Sequence, residues 1–473
     1  MLFNSYTFFI FLLVVFGLHY LPVSWRTKKV QLLCASYLFY AAWNPPFVLL
    51  LWISTIADWF IARGIQGAST QRRKRMLLCC SLGLNLGMLG YFKYGEFVLE
   101  NFLTLLGSLG IDYQVAAPSI ILPVGISFYT FQTLSYTIDV YLGKARPWHS
   151  FLDYALYVTF FPQLVAGPIV RATQFLPQFV APALATARQF GWGLFLLLMG
   201  LFEKIVLADG VFAPLVEKVY DGRAPDFAAA WLGTIAFAGQ IFCDFSGYST
   251  CAIGVAMCLG FSLPDNFRAP YAAIGFSDFW RRWHISLSTW LRDYLYITLG
   301  GNRRGHLRTY ANLMITMLLG GLWHGASWMF VVWGALHGLY LCLERFAVSR
   351  IRHRPWMSSW LFRIFLGQLT FALVCITWVF FRAENIDQAF AISGAMLGFA
   401  GPDAVGALAR REVVSICAAM GALLVCHWRL RDQTLESMLG RFPWWLRSLL
   451  VAGMIFAIFT MSGDSRAFVY FQF

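Results

Sequence analysis

Apolar stretches long enough, or nearly so, to cross a bilayer recur at about 5–23, 30–43, 47–63, 76–92, 151–168, 190–208, 228–249, 310–343, 357–381, 412–427 and 446–462. A spanning helix needs about 20 predominantly apolar residues. The pattern therefore predicts an all-α polytopic membrane protein with about eleven transmembrane helices. Shorter apolar runs near 97–109, 120–141, 251–264, 285–299 and 386–400 predict interfacial or re-entrant segments. The run 310–343 is too long for one straight span. As a helix it would extend roughly 51 Å, against a hydrocarbon core of roughly 30 Å. It either tilts and kinks or turns back at Gly320-Gly321. Internal repeats, low-complexity tracts and long linkers are absent, so residues 1–473 read as a single transmembrane domain.

Composition agrees: 59% of the residues are hydrophobic and 12% charged, where soluble domains carry roughly a quarter charged residues. The net charge of +13 does not indicate nucleic-acid binding. The cations sit in short clusters between apolar stretches: Arg26, Lys28 and Lys29; Arg72, Arg73, Lys74 and Arg75; Arg303, Arg304 and Arg308; Arg350, Arg352 and Arg354. Such clusters are what the positive-inside bias produces. They put the loops after the first and third spans in the cytoplasm and the N-terminus outside it. The first span lacks the basic leader of a cleaved signal peptide, so it is expected to stay as an anchor. The ten cysteines all lie within apolar stretches, with no CxxC pair. We expect neither disulfides nor a metal site.

Ionisable residues inside apolar stretches carry the candidate chemistry, because a charge at membrane depth is costly and is commonly functional. His324 sits in GGLWHGASW (Gly320–Trp328), flanked by glycines that let the backbone bend or approach a ligand closely. It is a catalytic candidate; the plainer alternative is a structural histidine bonded to a neighbouring helix. His337 reads as structural. The segment Phe279–Gly305, FWRRWHISLSTWLRDYLYITLGGNRRG, brings His284, Trp283, Arg281, Arg282 and Arg292 together in an irregular stretch. Guanidinium groups suit a phosphate-bearing ligand, but the same residues suit headgroup anchoring, and both readings stand. Asp244, in CDFSGYS, must be paired, protonated or solvated; it orients a histidine or holds a cation. A transporter with a buried His/Asp proton relay is the alternative of a different class. The chain has no GxSxG elbow, Rossmann fingerprint or P-loop.

Six stretches together resemble the membrane-bound O-acyltransferase family, in its bacterial polysaccharide O-acetyltransferase branch. They are LPVGISFYTFQTLSYTIDVY (Leu122–Tyr141), AGPIVR (Ala166–Arg171), DFSGYS (Asp244–Ser249), FWRRWHISLSTWLRDYLYI (Phe279–Ile297), GGNR (Gly300–Arg303) and GGLWHG (Gly320–Gly325). The resemblance implies about eleven helices around a thin core, crossed by a tunnel from a cytoplasmic donor site to an outward funnel. It implies a place in the bacterial cytoplasmic (inner) membrane. It makes His324 the catalytic histidine and His284 the second characteristic one, with acetyl-CoA as donor substrate. It also implies an extracytoplasmic SGNH-type, hydrolase-like partner that delivers acetyl groups to an exported, alginate-like polysaccharide. Transfer of D-alanine to teichoic acid, or of acetyl groups to peptidoglycan, are neighbouring alternatives. On this reading Arg281, Arg282, Arg292 and Trp283 bind the donor, and Asp244 supports the site without reacting.

The chain ends in the aromatic tail FVYFQF, residues 468–473, a few residues beyond the last apolar stretch. It suits an aromatic belt at the membrane surface or a segment folded back into the outward funnel. The resemblance implies the second, with Tyr470 a transient acyl carrier activated by His324.

Overall fold

The computed structural model of the chain describes residues 3–113, 120–222, 225–351, 359–399, 408–461, 466 and 468. They are mostly helical, with no β-strand among them. The chain divides into two compact units: Met1–Leu197 with Cys251–Pro264, and Leu198–Thr250 with Asp265–Phe473.

The first unit begins with α1 (Tyr6–His19) and α2 (Trp25–Ala41), each started by a serine whose hydroxyl accepts a first-turn amide. It continues through α3 (Val48–Gly67), α4 (Gln71–Ser108), α5 (Ile126–Tyr141), α6 (Phe151–Thr159), α7 (Phe161–Leu164), α8 (Ala172–Phe175) and the start of α9 (Ala187–Leu201). Two elements differ from the sequence expectation. Helix α4 runs unbroken for 38 residues through both the 76–92 span and the 97–109 segment. Lys93, Tyr94, Gly95 and Glu96 separate them; the one poor helix former among these, Gly95, costs a helix about 1 kcal/mol, too little to stop it. Conversely, the apolar run 151–168 does not form one span. Pro162 has no amide proton for an i→i−4 bond and its ring crowds the carbonyl four residues back, so the chain breaks at Phe160 and Pro162 falls in the first turn of α7. Helix α5, expected as an interfacial or re-entrant segment, is buried along nearly its whole length.

The second unit holds a π-helical turn (Phe202–Phe212), α10 (Ala213–Tyr220) and most of α11 (Phe227–Cys258). The short helices α12 (Phe276–Trp280) and α13 (Ile285–Trp290) follow, and then α14 (His306–His324), α15 (Trp328–Ile351), α16 (Trp360–Arg382), α17 (Ile386–Met396), α18 (Arg410–Leu430), α19 (Leu435–Gly440) and α20 (Trp444–Met461). Seven helices among the described residues are long and apolar enough to cross a membrane: Pro45–Gly67, α4, α11, Trp328–Arg350, α16, α18 and α20. Helix α11 is the most enclosed, with 83% of its most apolar window buried, against 0% for α20.

The long run 310–343 turns back, though not at Gly320-Gly321, which lie within α14. Helices α14 and α15 lie antiparallel, joined by Gly325-Ala326-Ser327. A Cβ on Gly321 would stand 2.1 Å from the Phe330 carbonyl oxygen, and one on Gly334 would stand 2.4 Å from that of Met317. Backbone meets backbone along this seam, as at the small-residue interfaces of membrane helices. Gly321→Val should therefore lower the apparent unfolding midpoint of the detergent-solubilised protein, at an overpacking cost of about 1–3 kcal/mol. Gly83→Ala, in α4 where nothing lies within 4 Å, should leave it unchanged or slightly higher. Equal midpoints for Gly321→Val and wild type would show that the seam is not close-packed.

Candidate active site

The hairpin turn places His324 as the last residue of α14, buried. Its ring packs edge-on against Trp333 at 5.0 Å and Phe381 at 5.4 Å between centroids. Gly325 follows because a Cβ there would stand 2.0 Å from the Phe330 ring.

His284 reaches the same place from a different element. It caps α13 with φ 41° and ψ 56°, a left-handed conformation that few non-glycine residues adopt. Such strain persists only where surrounding structure enforces it. Here Asn266 enforces it. The Ile285 amide donates to the Asn266 carbonyl at 2.9 Å, and the Ser286 amide and hydroxyl donate to the Asn266 side-chain oxygen at 3.2 and 2.9 Å. The fully buried His284 ring lies 6.3 Å from that of His324, 5.7 Å from Trp323 and 4.6 Å edge-on from Phe245 of α11.

Asp244, the neighbour of Phe245, accepts an ion pair from Lys204 at 2.6 Å, and the same ammonium holds Asp209 at 2.8 Å. Lys204 and Asp209 are five residues apart, which would put them on different faces of an α-helix. The π-helical turn that contains both, with its i→i+5 bonds, brings them together. The first residue of the aromatic tail reaches the same wall. Phe468 is buried against Phe245 at 5.8 Å and Tyr248 at 5.1 Å. Tyr470 lies outside the described residues.

Residues 144–381 match the family described as MBOAT, membrane-bound O-acyltransferase family. The chain is 40% identical over 441 residues to the probable alginate O-acetylase AlgI of Pseudomonas putida, covering 91% of this chain and 88% of that one. It is 43% identical to the protein of the same name from Azotobacter vinelandii, over 84% of this chain and 78% of that one. It is also 38% identical to the peptidoglycan O-acetyltransferase of Helicobacter pylori, over 79% and 74%. The chain belongs to the membrane-bound O-acyltransferase family. It is a multi-pass membrane enzyme, an O-acyltransferase.

Among the sequence candidates in this acyltransferase, the structure brings His284 and His324 together and sets the arginines apart. Arg282 donates to Asp278 at 2.9 Å and to the carbonyls of Arg268 and Arg431 at 3.2 and 2.9 Å. Arg431 grips the other oxygen of Asp278 at 2.8 Å, so Arg282 ties α12 to the end of α18. Arg281 and Arg292 are exposed; Arg281 donates to the Ser277 carbonyl and Arg292 to Asp293. Trp283 is fully buried, stacked on Phe279 at 5.7 Å and against Trp378 at 5.0 Å, behind the His284 turn. His337 meets Thr377 at 3.0 Å, a structural contact.

Sequence reading passed over Lys204, Asp209 and Asn266. The first two are visible as charges inside an apolar stretch, but their partnership depends on a π-turn that helical periodicity does not reveal. Asn266 carries no sequence signal, since its role is to clamp one turn. Breaking a buried pair by removing one partner costs about 3–5 kcal/mol. Lys204→Met should therefore sharply reduce the yield of folded, monodisperse protein. The triple variant Lys204→Met, Asp209→Asn, Asp244→Asn should recover much of it. A fully stable Lys204→Met single variant would contradict the pairing.

Proposed function

We propose that this enzyme takes an acetyl group from cytoplasmic acetyl-CoA and passes it outward for O-acetylation of an exported polysaccharide, through an extracytoplasmic hydrolase-like partner. The observation that carries this reading is the convergence of two buried histidines, with ring centroids 6.3 Å apart, at a wall that also receives Phe468. The relatives' names support acetyl as the group and a cell-envelope or secreted glycan as the acceptor. Alginate is favoured over peptidoglycan by 40–43% identity against 38%.

In this mechanism His324 is the general base and Tyr470 the acceptor. Tyr470 follows Phe468 by two residues, so the chain holds their Cα atoms at most about 7 Å apart. His324 takes the phenol proton. The phenolate oxygen bonds to the thioester carbonyl carbon, the C–S bond breaks, and the CoA thiolate leaves, to be protonated by the imidazolium. His284, its ring fixed by the strained turn, holds the thioester carbonyl in line. A hydroxyl of the partner then attacks the acetyl carbonyl carbon, the bond to the tyrosyl oxygen breaks, and the departing phenolate takes up the hydroxyl proton. Phenolate, with a pKa of about 10, leaves more readily than a sugar alkoxide. The exposed Arg281 and Arg292 receive the CoA phosphates at the cytoplasmic mouth. Asp244 acts through Lys204, holding α11 so that Phe245 backs His284.

General-base catalysis contributes about 10²–10⁴-fold. His324→Ala should insert and fold normally yet lose polymer acetylation by a factor in that range. Tyr470→Phe should do the same while keeping the packing of the tail. Wild-type acetylation by His324→Ala would remove the base, and wild-type acetylation by Tyr470→Phe would remove the relay.

A further inference from the structure

The tail is fastened by a residue that plays no part in the chemistry described above. Arg466 is half-buried, and one arm of its guanidinium donates to the Glu217 carboxylate of α10 at 2.9 Å. The other arm donates to the backbone carbonyl of Asp209. That carbonyl belongs to the π-helical turn, and the side chain of the same residue is held by Lys204, which also grips Asp244. Met461, at the end of α20, packs on this turn at Gly210, where a Cβ would stand 2.7 Å from its terminal methyl. The chain is thus pinned twice on one short turn, at Met461 and Arg466, before Phe468 enters the wall beside His284.

We propose that Arg466 is a positioning residue: its paired contacts with Glu217 and the Asp209 carbonyl set where the tail enters the site, and hence where Tyr470 meets His324. This rests on the relay reading above. A guanidinium with two fixed acceptors defines direction as well as distance, which a lysine ammonium on a flexible stem does not. The π-turn is suited to the role because one residue, Asp209, serves both the tail and the Lys204–Asp244 pair. A shift of the tail would therefore be felt at α11, where Phe245 touches both Phe468 and His284.

The test uses the full-length enzyme in membranes with its polymer-synthesising system, and compares Arg466→Gln, Glu217→Arg, and the exchange Arg466→Glu with Glu217→Arg. Misplacing a reacting group by about 1 Å can cost on the order of 10²-fold. We expect Arg466→Gln and Glu217→Arg to lower the maximal rate of polymer acetylation by about 10- to 100-fold, with the apparent KM for acetyl-CoA unchanged. We expect the exchange to recover part of that loss. A pair that only stabilised the fold would lower protein yield and leave the specific rate intact, and that result would overturn the proposal. So would an exchange no better than its worse parent. Tyr470→Phe, measured alongside, separates the two ideas. If Tyr470→Phe is inactive and Arg466→Gln is normal, the latch falls and the relay stands. If Tyr470→Phe is normal and Arg466→Gln is impaired, the relay falls and the latch acts through Phe468 on the His284 wall.

Discussion

The seam between α14 and α15 is the constraint on which the site depends. At Gly321 and Gly334 the two backbones approach so closely that a single methyl group has no room. That contact turns a run of 34 apolar residues into a hairpin. The hairpin carries His324 to a helix end inside the protein, not to the middle of a lipid-facing span. Non-helical backbone at membrane depth survives only where protein or a wet cavity satisfies it. The three-residue turn meets this condition through Ser327, whose carbonyl accepts from the Phe330 and Val331 amides and whose hydroxyl accepts from the Met329 amide.

Around the turn, charge is handled by pairing. Lys204 sits between Asp209 and Asp244, and Asp278 sits between Arg282 and Arg431. The two clusters do different work. The Asp278 cluster joins α12 to the end of α18 and so supports the segment that leads into His284. The Lys204 cluster holds α11 against the π-turn, next to the point where the tail enters. Phe245 connects them, since its ring touches both His284 and Phe468. Rigid aromatic packing here holds two imidazoles from separate elements at a defined spacing, which acyl transfer needs more than it needs any single strong contact.

Much of this was legible in the residues. Hydropathy disclosed the all-α polytopic class, and membrane-depth ionisable residues pointed to His324, His284 and Asp244. The glycines around His324 signalled a break, though not whether the helix would kink or reverse. What escaped depended on three-dimensional closure. The proline that splits 151–168 was visible, but a long apolar run outweighed it in a reading by hydropathy. Periodicity of 3.6 residues could not anticipate that Lys204 reaches Asp209 across a π-turn, nor that Asn266 would force His284 into a left-handed conformation. The arginines near Trp283 had two readings, and the structure distributes them: Arg282 is bound into the fold, while Arg281 and Arg292 are exposed.

The most direct measurement is of the acetyl group on its proposed carrier. Membranes containing the full-length enzyme, without the proposed extracytoplasmic partner, would be given acetyl-CoA labelled in the acetyl carbonyl. The C-terminal peptide would then be analysed by mass spectrometry after rapid acid quench. We expect one labelled acetyl group on Tyr470, absent when His324 is replaced by alanine and discharged when the partner is added. Label that never appears on the tail, in an enzyme that still acetylates polymer once the partner is restored, would contradict transfer through the tyrosine.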